Sequence, residues 1–239
     1  MLTLLENPNL TYLKKSLPDG KEAIYLHYVH DPMCAWCWCF APRLSELIAS
    51  IDAFNQASAN KYIQINYLCG GLAKDTSAPM PIKLQQQIKG YWQKINQLYG
   101  TAFNFDFWDK NMPKRATYMA NRAVLTAQKI SEQDDFTSAK EMISQIQKAY
   151  YLNALNPSEI DVLVNLSVIL GYDERLFRES LLSAERNHLL KQHIHFSRFI
   201  GGNSFPSLIV EKNQQIINIP IDYQNSKTMF EQVVQAVKK

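Results

Sequence analysis

The sequence predicts an α/β fold in which a βαβ unit and a later ββα unit are separated by a block of helices. Two β-prone runs, at 24–29 and 61–68, enclose one helical stretch near the beginning of the chain. Helical patterns without a strand signal follow from 84 to 199, and β-prone runs return only at 207–211 and 215–219. We therefore expect one sheet whose strands are split in sequence by an all-α insertion.

The composition is that of an ordinary globular protein, with 46% hydrophobic and 20% charged residues among 239. The formal net charge is only +3 and the basic residues are scattered, so neither nucleic acid nor a membrane is an expected partner. No apolar run reaches the roughly 20 residues of a membrane-spanning helix, and the stretch after Met1 lacks a signal-peptide pattern. We expect a cytoplasmic protein, where cysteines serve catalysis or metal binding rather than structural disulfides.

The first part of the sheet domain is predicted to cover 1–78, with 1–22 as an N-terminal arm. The first strand leads into a helix that runs to Ile51, and Pro42 inside this helix removes one backbone hydrogen bond. The second strand is expected to lie parallel to the first, because a helical crossover joins them.

The helical insertion is predicted to cover 79–183. Apolar stripes and capping residues indicate its helices. In order these are 84–99, ended by Gly100; 115–130; 135–152, capped by Asp135; a helix begun by Asn156 and Pro157 and stopped at Gly171; and 174–182.

The second part of the sheet domain is predicted to cover 184–239. It begins with a helix at 184–199, continues through an antiparallel hairpin and ends in an amphipathic helix. The first helix carries His188, His193 and His195. We interpret these as a solvated or partner-facing surface rather than a zinc site, because no acidic or cysteine partner lies near them in sequence.

The chemistry of the chain is expected at Cys34-Ala35-Trp36-Cys37, where the first strand passes into the first helix. Cysteines at i and i+3 lie on one face of the first turn, close enough for a disulfide. The free N–H groups and positive dipole end of that turn favour a thiolate at Cys34. The motif therefore predicts that Cys34 attacks and Cys37 resolves a mixed disulfide. The alternatives are a zinc half-site or two structural cysteines. Because the chain offers no second Cys-x-x-Cys to complete a zinc site, we predict no metal.

The residues around the motif have expected roles of their own. Trp36 is predicted to form a partly exposed lip for substrate, and Trp38 to lie in the core. His30 and Cys39 are candidate modulators of the pair, although Cys39 is more simply a small buried side chain. The aromatic run 103–108 is expected to pack the insertion against the sheet, with a wall of the substrate groove as the alternative.

The run from Asp31 to Pro42, Asp-Pro-Met-Cys-Ala-Trp-Cys-Trp-Cys-Phe-Ala-Pro, resembles the active-site motif of the DsbA-like thioredoxin-fold oxidoreductases, in particular their cytosolic FrnE-like branch. The resemblance continues at 70–72, 78–80, 181–185 and 202–206. Cys39 departs from it, since the family has glycine there.

The resemblance implies a thioredoxin-like fold split by the helical insertion, with Pro206 in a cis-proline loop. It also implies that Phe205 and Pro206, together with Trp36, bind an extended substrate. The expected activity is protein disulfide reduction or isomerisation on protein or peptide thiols and disulfides. No bound cofactor is expected beyond the redox-active disulfide, and glutathione is a candidate co-substrate.

Two other functions are compatible with this fold. One is a glutathione-linked kappa-type transferase or chromene-carboxylate isomerase, but those families keep a single Ser or Cys, so Cys37 argues against it. The other is a non-catalytic binding adaptor, which the intact Cys-x-x-Cys disfavours. The sequence leaves the oligomeric state and the direction of electron flow open.

Overall fold

The computed structural model describes residues 21–131 and 136–238. The predicted arm, up to residue 20, and the predicted cap at Asp135 lie outside these residues. The described elements follow one another as β1 (Glu22–His30), α1 (Ala35–Ala57), β2 (Lys61–Cys69), α2 (Ile82–Tyr99), α3 (Phe107–Lys110), α4 (Tyr118–Ile130), α5 (Thr137–Tyr151), α6 (Ile160–Ile169), α7 (Glu174–Leu182), α8 (Ala184–Phe199), β3 (Ser207–Lys212), β4 (Gln215–Ile219) and α9 (Ser226–Lys238).

The chain divides into two compact units, and each is built from separate stretches of sequence. The sheet unit contains the described residues of Met1–His30, Phe40–Gly70 and Gln192–Lys239. The helical unit contains those of Asp31–Cys39 and Gly71–Lys191. The domain boundaries predicted from the sequence, 1–78, 79–183 and 184–239, stay a prediction.

The sheet unit is organised on four strands in the order β2-β1-β3-β4. Strand β1 pairs in parallel with β2 and antiparallel with β3, and β3 forms an antiparallel hairpin with β4. The predicted parallel pair and the predicted hairpin are thus confirmed. Both faces of the central strand β1 are covered, because Leu26 and Tyr28 on one face and His27 and Val29 on the other are all buried.

The core of the sheet unit combines strand residues with one face of α1 and one face of α9. Helix α1 contributes residues spaced three or four apart, as an amphipathic helix should, and it continues through Pro42 to Ala57. The buried helix residues are Phe40, Leu44, Leu47, Ile51, Met229, Val233, Ala236 and Val237.

The helical unit is packed around Trp92 of α2, whose side chain is fully buried. Its ring contacts six other aromatic rings at centroid distances of 5.0–6.1 Å: Phe103, Phe105, Phe107, Trp108, Tyr150 and Tyr151. The aromatic side chains of the run 103–108 therefore pack on Trp92 within the helical unit, where Phe107 and Trp108 are buried. Gly100 ends α2 in the left-handed conformation, with φ 67°, as predicted.

One predicted helix start is wrong by a few residues. Asn156 was expected to cap a helix beginning at Pro157, but α6 begins at Ile160. The Asn156 side chain instead accepts hydrogen bonds from the backbone N–H and the hydroxyl of Ser158, at 3.2 and 2.7 Å. This local turn competes with helix formation and delays the helix by three residues.

None of the helices described is long and apolar enough to cross a membrane.

Candidate active site

Cys34 and Cys37 lie at the start of α1 with different exposures. The Cys34 carbonyl accepts a hydrogen bond from the N–H of Trp38 at 3.0 Å, which makes Cys34 the N-cap of the helix. Its own N–H donates to the Asp31 carbonyl at 3.0 Å. Both cysteines are in the thiol form rather than in a disulfide; Cys34 is 7% exposed and Cys37 is completely buried. Cys34 is therefore the more accessible sulfur, as an attacking thiol must be.

The two thiols are hydrogen-bonded to each other. Burial raises the pKa of the Cys37 thiol well above its ordinary value, and its hydrogen bond with Cys34 raises it further. The charges of Cys34 and Asp31 also raise the pKa of Cys37, and a backbone hydrogen bond with Asp31 partly offsets these effects. Cys37 is consequently held as a neutral thiol in the reduced protein.

Asp31 is the buried acidic group beside this pair, and sequence reasoning missed it. Its Oδ1 accepts a hydrogen bond from the N–H of Met33 at 2.9 Å. Its Oδ2 accepts three, from the Leu72 N–H at 2.7 Å, the Thr117 hydroxyl at 2.7 Å and the Asn121 amide at 2.8 Å. Burial raises the pKa of the Asp31 carboxyl, and these four bonds partly offset that effect.

The two tryptophans of the motif differ in their contacts. Trp36 is half-buried and meets the edge of the Tyr99 ring at 6.1 Å, so it is partly exposed as predicted. The expectation that Trp38 lies in the core is wrong, because it is half-buried as well. Its ring stacks on Tyr151 at 5.7 Å, while its indole N–H donates to the Ala102 carbonyl at 3.0 Å.

Cys39 and His30, the candidate modulators, are both buried. Burial raises the pKa of the Cys39 thiol, and a hydrogen bond from Thr101 partly offsets this. Burial and the neighbouring His193 lower the pKa of His30 to about 3, so His30 is neutral at neutral pH. Any influence of His30 on the thiols is thus not that of a cation, and both modulator roles stay predictions.

The three histidines of α8 do not share one environment. His188 and His195 are exposed, as predicted, but the prediction is wrong for His193, which is completely buried. Its Nδ1 accepts a hydrogen bond from the Cys69 N–H at 3.3 Å, which ties α8 to the end of β2 within the sheet unit. No cluster of metal-binding side chains occurs in residues 21–131 and 136–238.

The Phe205–Pro206 peptide bond is cis, as the resemblance implied. The Phe205 ring lies directly over Gly70, where an added methyl group would overlap the ring. The Arg198 guanidinium lies 5.0 Å from the ring centroid and donates to the Gly202 carbonyl at 2.6 Å and the Gly70 carbonyl at 3.0 Å. Arg198, which the sequence did not single out, therefore joins the proline loop to the chain at the end of β2.

A split thioredoxin-like sheet with a dithiol at the start of its first helix defines a thiol–disulfide oxidoreductase of the thioredoxin-fold class. Within this class the chain belongs to the DSBA-like thioredoxin domain family, which it matches over residues 26–220. The fold class and the family predicted from the sequence are confirmed.

The chain is also similar to individual proteins. A structure from Nitrosomonas europaea, proposed to be a protein disulfide isomerase, shares 24% identity over 91% of this chain and 98% of that one, with a TM-score of 0.75. The cytosolic disulfide reductase DsbM from Pseudomonas aeruginosa shares 22% identity over 90% and 100% of the two chains, with a TM-score of 0.68. A DsbM structure with GSH matches at 19% identity, over the same shares, with a TM-score of 0.67. At identities of 24% or less, these three structures show that the folds are similar.

A curated relative, the ClpXP adapter protein SpxH of Halalkalibacterium halodurans, is 23% identical over 173 residues, which are 68% of this chain and 50% of the relative. The chain thus spans about half the length of this relative.

Proposed function

We propose that this protein exchanges disulfides with protein or peptide substrates through Cys34 and Cys37. The observation that supports this most strongly is the asymmetry of the pair. Cys34 is the more accessible member at the helix N-cap, while Cys37 is completely buried and protonated one turn later. One sulfur can meet a substrate, and the other can react only with its neighbour.

The reaction in the reducing direction has two steps. The Cys34 thiolate attacks a substrate disulfide, forms a mixed disulfide and releases one substrate thiolate, which takes up a proton. Cys37 then loses its proton and attacks Cys34, which closes the Cys34–Cys37 disulfide and releases the second substrate thiolate. Two electrons pass to the substrate, and the reverse sequence oxidises a substrate dithiol.

Asp31 is suited to assist the second step. The high pKa of Cys37 means that its proton must be taken up by a nearby group before it can attack. Asp31 lies close enough for its charge to act on Cys37, and burial raises its own proton affinity. We propose that Asp31 accepts this proton and that its four hydrogen bonds keep the carboxylate in place.

Substrate contacts are proposed at Trp36 and at the Phe205–Pro206 loop. Trp36 is a half-exposed aromatic surface two residues from the attacking sulfur. Arg198 and the close packing of the Phe205 ring on Gly70 hold this loop in place, so it would present a fixed surface to an extended peptide. Glutathione is a proposed co-substrate and the cytoplasm a proposed location. The similar protein DsbM is a cytosolic disulfide reductase, and one of its structures is with GSH, which favours both proposals.

The SpxH relative favours a second candidate, in which the protein acts as an adapter that binds a partner without electron transfer. A double variant, Cys34→Ala with Cys37→Ala, separates the two. An adapter keeps its partner binding in this variant, whereas an oxidoreductase loses its activity. The glutathione-linked transferase or isomerase stays the remaining alternative, and it predicts that Cys37 is dispensable.

The test of the proposed function is the reduction of insulin disulfides by the purified protein in the presence of glutathione. We expect Cys34→Ser to abolish the activity, because serine cannot form a mixed disulfide. Cys69→Ser, at a buried cysteine to which no role in the exchange or its modulation is assigned, is the matched control and should retain activity. Equal activity in the Cys34→Ser variant and the unaltered protein would refute the proposal.

A further inference from the structure

Tyr151, the last residue of α5, has a hydroxyl group that the packing does not explain. The residue is completely buried, yet its hydroxyl has no hydrogen-bond partner among the residues that the structure describes. A buried hydroxyl without a partner costs free energy, so each such group calls for a reason.

The ring of Tyr151 is fixed on several sides. It stacks on Trp38 with centroids 5.7 Å apart and an angle of 13°. It meets Trp92 edge-on at 5.2 Å and Phe103 at 5.5 Å, and the Tyr151 carbonyl accepts a hydrogen bond from the Asn104 N–H at 2.6 Å. The hydroxyl oxygen is therefore held in one place, and a phenylalanine would preserve all of these contacts.

The ring that carries this hydroxyl packs next to the segment of the dithiol, and the charges of both sulfurs act on it. Trp38, on which the ring stacks, donates its backbone N–H to the carbonyl of Cys34. After burial and the neighbouring Tyr150, the charges of Cys34 and then Cys37 are the next causes that raise the pKa of Tyr151. The raised pKa keeps the hydroxyl protonated, so it remains a hydrogen-bond donor.

We propose that Tyr151 is a catalytic residue whose hydroxyl donates a hydrogen bond to the Cys34 sulfur when that sulfur carries the negative charge. This inference rests on the proposed function. In the reduced protein the Cys34 sulfur is hydrogen-bonded to Cys37. When Cys37 gives up its proton or Cys34 leaves as a thiolate, the Cys34 sulfur loses the Cys37 donor. It then turns towards the fixed Tyr151 hydroxyl, which still carries a proton to donate. The hydroxyl keeps its proton throughout, so the proton and electron balance of the exchange is unchanged.

The test compares Tyr151→Phe with the unaltered protein by the rate of Cys34 alkylation with iodoacetamide between pH 5 and 9, assigned to Cys34 by peptide mass spectrometry. A hydrogen bond to a charged sulfur changes an equilibrium about tenfold or more. We therefore expect the midpoint of the alkylation profile to move up by about one pH unit or more. The glutathione equilibrium of the pair should move about tenfold towards the disulfide, which corresponds to about 30 mV.

Tyr150→Phe is the matched control, because Tyr150 is the buried neighbour and its pKa is raised without a contribution from the cysteines. It should leave the midpoint and the equilibrium unchanged. If Tyr151 has only a structural role, Tyr151→Phe should be at least as stable as the unaltered protein and should have the same alkylation midpoint. That result would overturn the inference and leave the proposed function standing. Absence of a redox transition in the unaltered protein would overturn both.

Discussion

His30 should make the protein lose stability in mild acid, by an amount that can be worked out from its environment. Both ring nitrogens are buried without a hydrogen-bond partner among the described residues, and the pKa is lowered from 6.5 to about 3. The unfolded chain therefore binds a proton at His30 below pH 6.5, whereas the folded chain does so only near pH 3. Stability from the neutral ring is complete above pH 6.5 and is lost as the pH falls towards 3.

The size of this loss follows from linkage between protonation and unfolding. Protonation of His30 in the unfolded chain lowers the free energy of unfolding, relative to its value at pH 7.5. The loss is about 1 kcal/mol at pH 5.5 and about 3 kcal/mol at pH 4.5. A typical domain is stable by roughly 5–15 kcal/mol, so the effect is measurable. Asp31 acts in the opposite sense, because its raised pKa contributes stability that is lost as the pH rises through the folded-state value.

The assay is urea unfolding of the unaltered protein and of His30→Phe at pH 7.5, 5.5 and 4.5. Phenylalanine keeps an aromatic ring between Tyr28 and Tyr67, which contact His30 at 5.2 and 6.0 Å. The Asp31 contribution is common to both proteins and cancels in their difference. The variant should lose about 1 kcal/mol less than the unaltered protein between pH 7.5 and 5.5.

His195→Gln, at an exposed histidine of α8, is the control and should keep the pH dependence of the unaltered protein. If His30→Phe and the unaltered protein lose stability equally between pH 7.5 and 5.5, His30 is not held neutral by burial and the reasoning is refuted.

Two further predictions concern the dithiol and the proline loop. Asp31→Asn places an amide N–H₂ among donors that now point at a carboxylate, so it should destabilise the fold by about 1–3 kcal/mol in urea unfolding. The exposed Asp109→Asn should be close to neutral, and an equal effect in both variants would contradict the role of the buried hydrogen bonds. Gly70→Ala should displace the Phe205 ring, lower stability by about 1–3 kcal/mol and weaken peptide binding measured by calorimetry. Gly90→Ala, where an added methyl meets nothing within 4 Å inside α2, should be neutral or stabilising, and unaltered peptide binding in Gly70→Ala would exclude a substrate role for the loop.

Most of the fold could be predicted because its elements have local causes. The β-branched runs, the stop at Gly100 and the residue spacing of the helices are properties of neighbouring residues. The helices at 174–182 and 184–199 have the bounds that were predicted. The start of α6 could not be predicted, because Asn156 is equally able to cap a helix or to form a local turn.

The residues that complete the site depend on contacts distant in sequence. The buried Asp31 carboxylate is held by hydrogen bonds from Leu72, Thr117 and Asn121, which lie 41, 86 and 90 residues away along the chain. No local pattern brings these groups together, although an acidic residue directly after a buried strand was an available sign.

The roles of Arg198 and Tyr151 could not be predicted for the same reason. Arg198 contacts Gly70, and Tyr151 contacts Trp38, only once the chain has folded. The burial of His193, in contrast, could be predicted from the sequence. Its spacing of three residues from both Leu190 and Phe196 places it on the buried face of α8.

The measurement that tests the central claim most directly is the redox equilibrium of Cys34 and Cys37. Titration with reduced and oxidised glutathione, followed by tryptophan fluorescence, reports on the pair because Trp36 and Trp38 flank Cys37. The account predicts one two-electron transition that disappears in Cys34→Ser and in Cys37→Ser. A titration without any transition in the unaltered protein would contradict it.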